Sequence, residues 1–288
     1  MSELTWDEVG TRFFETGVDK GVLYIPNDSG EYDNGVAWSG LVTVKEGPTG
    51  GAAKPQYADN LKYLNLVSVE EFGAQIDAFT YPDEFQLYDG LVVPVPGVAI
   101  GQQVRKFFGL SYRTKYGNDL LDEDYAYKLH LLYGAKANPT DKSYTTMNDS
   151  PAGMTFSWKV DCTPVNVDGL RPTSLITISS ADVNPDTLAA LELILYGTTG
   201  VNPALPMPND IVSMFESGVT TVPTLTVPTF ATPVLTIPTL TGIEYYVDGV
   251  LTVAGDVTLT SGNHVVTAQP VVGYVIGAGN VNEWEYTV

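Results

Sequence analysis

Two histidines, one cysteine and a few crowded carboxylates are the residues of this chain that could do chemistry. A histidine becomes a general base when a nucleophile and an orienting acid stand beside it, and the nucleophile of such a triad is often marked by a sharp strand-to-helix turn. His130 and His264 fall in separate predicted strands with no turn motif of that kind nearby. Both read as polar positions on strand faces. Cys162 is the single cysteine, so a disulfide framework within the chain and a cysteine-based zinc site are excluded. With no histidine near it in sequence, its thiol reads as a small buried hydrophobe.

Paired carboxylates can perform acid–base catalysis or hold calcium. Asp119, Asp122, Glu123 and Asp124 crowd into one turn, and Asp28, Glu31 and Asp33 into another. Neither follows the EF-hand order, which needs glycine at the sixth position and glutamate at the twelfth. Asp119, Asp122 and Asp124 stand as the candidate metal ligands, against a solvated hairpin loop. The glycine-rich stretch GPTGG (47–51) lacks the Lys-Ser/Thr pair and following helix of a phosphate cradle, and reads as a mobile loop. No cofactor motif is present and no catalytic residue is nominated, so the chain is not expected to be an enzyme. Trp6, Phe13 and Phe14 near the N-terminus match no regular period. Either they dock on another subunit or they cap the chain's own core.

The charge balance narrows the partners. Of 288 residues, 14 are basic and 34 acidic, for a formal charge of -20, and no Lys or Arg follows Arg171. Affinity for nucleic acid or an anionic membrane comes from cations that displace counterions, and here that contribution is repulsive. Charged residues make up only 17% against a usual ~25%, alongside 28 Gly and 19 Pro, the mixture of turn-rich β structure. The first ten residues, MSELTWDEVG, carry neither a basic region nor an apolar one, so no secretory signal is expected. The longest apolar run, 91–100, is about half the ~20 residues a membrane span requires and holds Pro94 and Pro96. No membrane insertion is expected.

Strand signals recur at 36–45, 61–69, 72–81, 104–116, 125–136, 154–165 and 175–180. In 125–133, Tyr125, Tyr127, Leu129, Leu131 and Tyr133 share one face, Lys128 and His130 the other, so one face should be buried and the other wet or in an interface. Asn184, Pro185 and Gly197 bracket a predicted helix over 185–196, the one helix expected, lying across a sheet. Residues 219–241, VTTVPTLTVPTFATPVLTIPTLT, place proline every fifth residue and read as a linker or edge strand, an extended spacer. Beyond it, Asp248-Gly249 between two apolar runs predicts a hairpin, and Tyr245, Tyr274 and Trp284 are the expected core of a small β module. The division is thus 1–200, with 201–241 as linker and 242–288 as a small C-terminal domain.

Taken in order, GTRFFETGVDKGVLY (10–24), GVAWSG (35–40), TYPDEF (80–85), QVRKFFGLSYRT (103–114) with GND (117–119), YKLH (127–130), and NDSP (148–151) leading into FSW (156–158) resemble the major tail tube protein of long, non-contractile-tailed bacteriophages. The likeness spans about residues 6–200. It implies a mainly β fold: a tail-tube β-sandwich or barrel with one flanking helix, assembled as stacked hexameric rings into a hollow tube. DNA would pass through during ejection without specific binding, and an acidic bore would repel its phosphates within a Debye length of ~8–10 Å. Partners would be further copies of the chain, the tape measure protein and other tail proteins. The place would be the virion tail, assembled in the host cytoplasm. Residues 242–288 lie outside the shared part and resemble the immunoglobulin-like modules appended to phage tail proteins, which implies a decoration on the tube exterior able to meet host surface glycans. The Thr-Pro stretch and terminal β module also suit a monomeric surface adhesin or carbohydrate-binding module, and an acidic β-sandwich hydrolase using two carboxylates is a third reading.

Overall fold

The computed structural model describes residues 4–50, 53–66, 69–146, 149, 153–218, 220–271, 274–277 and 279–288. Of the stretches read from the sequence, Met1, Ser2, Glu3, Gly51, Val67, Ser68, Asn148, Ser150, Pro151, Val219, Val272, Gly273 and Ala278 lie outside them. The chain is mainly β and divides into two compact units, one of Met1–Tyr32 with Val36–Ala181, the other of Asp33–Gly35 with Asp182–Val288.

The first unit contains strands β1 (Phe13–Ile25), most of β2 (Asn34–Trp38, from Val36 on), β3 (Leu41–Glu46), β4 (Thr49–Gly50), β5 (Lys54–Ala58), β6 (Leu61–Leu66), β7 (Glu70–Glu71), β8 (Gly73–Ala78), β9 (Val92–Val95), β10 (Val98–Ile100), β11 (Phe108–Asn118), β12 (Asp122–Ala137), β13 (Phe156–Cys162) and β14 (Leu175–Ser179). Eight of them form one sheet in the order β2-β1-β11-β12-β13-β8-β3, with β14 added on β12. The branch exists because β12 changes partner along its length: Lys128–Leu132 pair with β14 and Ala135–Ala137 with β13. Between the two stretches sits Gly134 at φ +59°, where a Cβ would come 2.3 Å from the Thr163 carbonyl oxygen, so only glycine fits. β8 alternates cleanly, with Ala74, Ile76 and Ala78 buried and Gly73, Gln75 and Asp77 less so, as expected of an antiparallel strand with one face on a core.

That core is aromatic. Phe85, on a short 3₁₀ turn (Asp83–Leu87), lies 4.5 Å from Trp38, 5.2 Å from Trp158 and 5.4 Å from Phe108 between ring centroids, with Leu23, Ile76 and Leu110 around them. The Trp38 indole donates to the Thr80 carbonyl at 2.9 Å, so its polar edge is satisfied while the ring is buried.

The second unit holds two helices, α1 (Pro185–Tyr196) and α2 (Pro208–Ser217), and strands β15 (Thr220–Val222), β16 (Thr229–Ala231), β17 (Val234–Ile237), β18 (Ile243–Val247), β19 (Val250–Thr252), β20 (Gly255–Thr258), β21 (Asn263–Pro270), β22 (Tyr274–Ile276) and β23 (Glu283–Thr287). The Asn184 side chain caps α1 by accepting from the Asp186 and Thr187 amides. α2 was not expected from the sequence; Pro208 opens it, and Ile211 and Met214, three apart, are its buried side.

The proline-rich stretch requires a correction. Residues 220–237 are not a spacer: β15 pairs with β22, β17 pairs with β20, and Val222, Leu225, Leu235 and Ile237 are buried with Tyr245 and Val266 in one core. The prolines fall at strand ends and between strands, where no ladder bond is lost, and the apolar residues between them supply the side chains a module of under 50 residues would lack. Tyr274 and Trp284 pack against this core as expected, and the Asp248-Gly249 turn joins β18 to β19.

Candidate functional site

Two ribbons leave the main sheet of the first unit, and among the described residues each is a two-stranded sheet of its own. The first is β5–β6, joined by Asp59 and Asn60, both at positive φ as a two-residue hairpin turn demands. Its apolar side chains have little cover: Tyr57 is 70% exposed, Leu61 71% and Tyr63 73%. Between Lys54 and Leu66 its charges are Lys54, Asp59 and Lys62, a local excess of one positive charge in a chain of -20. The second is β9–β10, turned by Pro96-Gly97 with Gly97 at φ +83°. No charged residue occurs between Leu91 and Gly101, and Val92, Val93, Val95, Val98 and Ile100 are all exposed. A two-stranded ribbon is marginal in water by itself, and exposed contiguous apolar surface marks an interaction site.

The base of the second ribbon is fixed by a buried charge. The Asp89 side chain, 3% exposed, pairs with Lys142 Nζ and, at 3.6 Å, with Arg105. Arg105 also donates to the Asp89 carbonyl at 2.9 Å and the Ala137 carbonyl at 3.3 Å. The Gln103 amide closes the loop on the Gly90 carbonyl at 3.0 Å. Among the described residues, the first ribbon's base has the two-residue β4–β7 ladder, a Thr49 hydroxyl bond to the Glu71 carbonyl and, next to it, the Gly47 amide on the Gly73 carbonyl at 2.8 Å.

A polar seam crosses β1, β3, β11 and β12. His130, 8% exposed, stacks on Tyr112 with rings 4.7 Å apart and 2° from parallel. Its Nδ1 donates to Glu46 Oε1 at 3.0 Å, and its Nε2 lies 3.0 Å from the Thr114 hydroxyl. Tyr112 donates to the same Glu46 oxygen at 2.6 Å, while Thr114 and Lys128 both donate to Glu15, each at 2.8 Å. The hydrogen bond from His130 outweighs burial and, with Tyr112, holds the Glu46 carboxyl below its ordinary value. Burial works to raise Glu15, but Lys128 and Thr114 together bring it below. Burial and the Glu46 carboxylate push the Tyr112 phenol up. Every acid here meets a donor, and the seam ties four strands together. The expectation of a wet or interfacial face for His130 is thereby corrected, because β3 brings Glu46 over it.

The acidic turn is likewise spent on structure. Asp119 Oδ1 accepts from the Gly10 amide at 3.0 Å and the Arg12 amide at 3.3 Å, anchoring the N-terminal arm. Glu123 pairs with Lys115 at 2.5 Å, and Asp122 closes the hairpin opposite Asn118 at φ +48°. Among the described residues no three metal-ligating side chains converge, so Asp119, Asp122 and Asp124 are not brought together as a site. Phe13 stacks on Tyr116 at 5.3 Å yet stays about half exposed, Phe14 lies against Gly117, and Trp6 is exposed. Burial pushes the Cys162 thiol up to about 12, which makes it inert. Thr49 and Gly50, in the loop read as mobile, pair with β7.

In the second unit, a cavity of about 920 Å³ is lined by Leu193, Ile194, Tyr246 and Gln269. Gln269 and Asn282 beside it already donate to the Gly200 and Thr199 carbonyls, which fixes its wall. Among the described residues no helix is long and apolar enough to cross a membrane. No protein-family model matches the chain, and no curated protein matches it either.

Proposed function

We propose that this chain is a structural protein of a bacteriophage tail, a tail tube subunit whose copies join in stacked hexameric rings around an acidic bore through which DNA passes during ejection. The observation that carries the reading is the pair of ribbons. Both expose apolar side chains that water penalises, and the first sets Lys54 and Lys62 beside them in a chain with a large negative excess. Another copy of the same chain offers both an apolar surface and acidic charge. The edges of the main sheet, β2 and β3, add unpaired backbone groups that a neighbouring protomer can satisfy. The ordered sequence resemblance supports the same reading.

In this reading the tape measure protein fills the bore before ejection, other tail proteins cap the tube ends, and the tube is built in the host cytoplasm and retained in the virion. The second unit decorates the exterior, where host surface glycans are a partner. Its body is larger than the sequence suggested, since 220–241 belong to it rather than to a tether.

Negative-stain microscopy of the purified full-length chain tests the proposal. Hollow tubes or sixfold rings are expected. A monodisperse monomer that persists at high concentration sinks it.

A further inference from the structure

His264, the second residue of β21, has its ring held between two groups that can only accept. Nδ1 lies 2.6 Å from Asp248 Oδ2, and Nε2 lies 3.0 Å from the Thr260 carbonyl oxygen. Neither oxygen carries a proton at neutral pH, so both bonds form at once only when both ring nitrogens bear hydrogen. The imidazole is 12% exposed and the Asp248 side chain 49%. Asp248 is the first residue of the β18–β19 turn, at φ +51°, and its other oxygen accepts from the Val265 amide at 2.9 Å while its own amide donates to the Val265 carbonyl at 2.8 Å. Asp248 therefore joins the turn to the start of β21 through both its carboxylate and its backbone amide.

We propose that Asp248, His264 and the Thr260 carbonyl form a proton-gated latch that fastens the β18–β19 turn and the 259–262 loop to β21. The other groups facing the ring are few. On β23, Tyr286 stands directly opposite His264 with its hydroxyl given to the Pro228 carbonyl, and Glu283 and Glu285 fall on the alternate face by the strand period. The second unit contains no Lys or Arg to compete for Asp248.

The geometry sets the direction of the response. The hydrogen bond to Asp248, with the one to Thr260, raises His264 above its ordinary 6.5, so the latch is fully closed below that value and opens as pH rises through the raised midpoint. The bond from His264, with that from Val265, lowers Asp248 below 3.8, so its half of the latch holds above that value and fails only as pH drops through the lowered one. Between the two lies the closed window. Deprotonation leaves one nitrogen facing an acceptor with nothing to donate, and the turn loses one of its ties.

Exchange of the imidazole C2 hydrogen in the full-length protein, followed by mass spectrometry, reads the midpoint of each histidine whether or not the chain assembles. The His264 midpoint is expected above 6.5. In Asp248→Asn it shifts down. Protection of the Val265 amide, corrected for intrinsic exchange, falls across the same pH range in the native protein and loses that dependence in His264→Gln. A native midpoint at or below 6.5, or Val265 protection that is flat in the native protein or follows pH alike in both proteins, overturns the proposal.

Discussion

The β5–β6 and β9–β10 ribbons present similar apolar surfaces but differ at both ends. At its base the second is held by Asp89 between Arg105 and Lys142, while among the described residues the first has a two-residue ladder. At its tip the second uses glycine where φ is positive, whereas the first asks Asp59 and Asn60 to adopt that conformation themselves. In the assembly proposed above, the second ribbon would be fixed before a partner arrives, and the first would order more on contact with a neighbouring copy.

The largest effect on folding should come from the base of the fixed ribbon. Asp89→Ala leaves two cations sharing a half-buried site with no carboxylate, and removing one partner of a buried pair costs about 3 kcal/mol. A lowered urea midpoint, together with faster amide exchange over 91–101, is expected. If stability falls while exchange in 91–101 stays as in the native protein, the charge supports the core and not the ribbon, and the contrast between the two bases disappears.

A smaller and opposite pair of effects is expected at the tips. Gly97→Ala meets nothing within 4 Å, so its cost is purely that of a left-handed backbone, about 1 kcal/mol. Asn60→Gly relieves the same strain on the other ribbon and should stabilise by a few tenths of a kcal/mol, asparagine being the most tolerant residue there after glycine. Equal signs in thermal unfolding would show that the two turns are not in the conformations that distinguish them.

Local signals in the sequence located much of this fold. The α1 helix runs from Pro185 to Tyr196 because Asn184 caps it and Gly197 ends it, and the Gly197 Cβ position is blocked by the Val201 carbonyl at 2.7 Å. Asp248-Gly249 specified its hairpin for equally local reasons. What failed to show was anything set by distant partners. Proline spacing over 219–241 suggested a tether because nothing in the stretch reveals that β20 and β22 pair with it. The His130 alternation was legible, but its burial depends on Glu46, 84 residues away. Strand β1, begun by Phe13 and Phe14, lacks a steady period because its pairing with β11 shifts register on either side of Asp19. The second ribbon was visible as the apolar run 91–100 and half of the first as the strand signal at 61–69; that their apolar side chains stay exposed was not.

The smallest effect on folding should accompany a loss of assembly, and it bears most directly on the first ribbon. Leu61 and Tyr63 already stand in water, so replacing both with lysine removes no core contact and should leave the urea midpoint within about 0.5 kcal/mol of the native value. The same change strips the ribbon of the apolar surface that a second copy would cover, and rings or tubes should no longer form in negative stain. The matched change on the other ribbon, Val93→Lys with Val95→Lys, tests whether a preset surface tolerates the loss better than one that orders on contact. If the first double variant still assembles, the ribbon with the weaker base is not the part that seeks a neighbour, and its exposed tyrosines need another explanation.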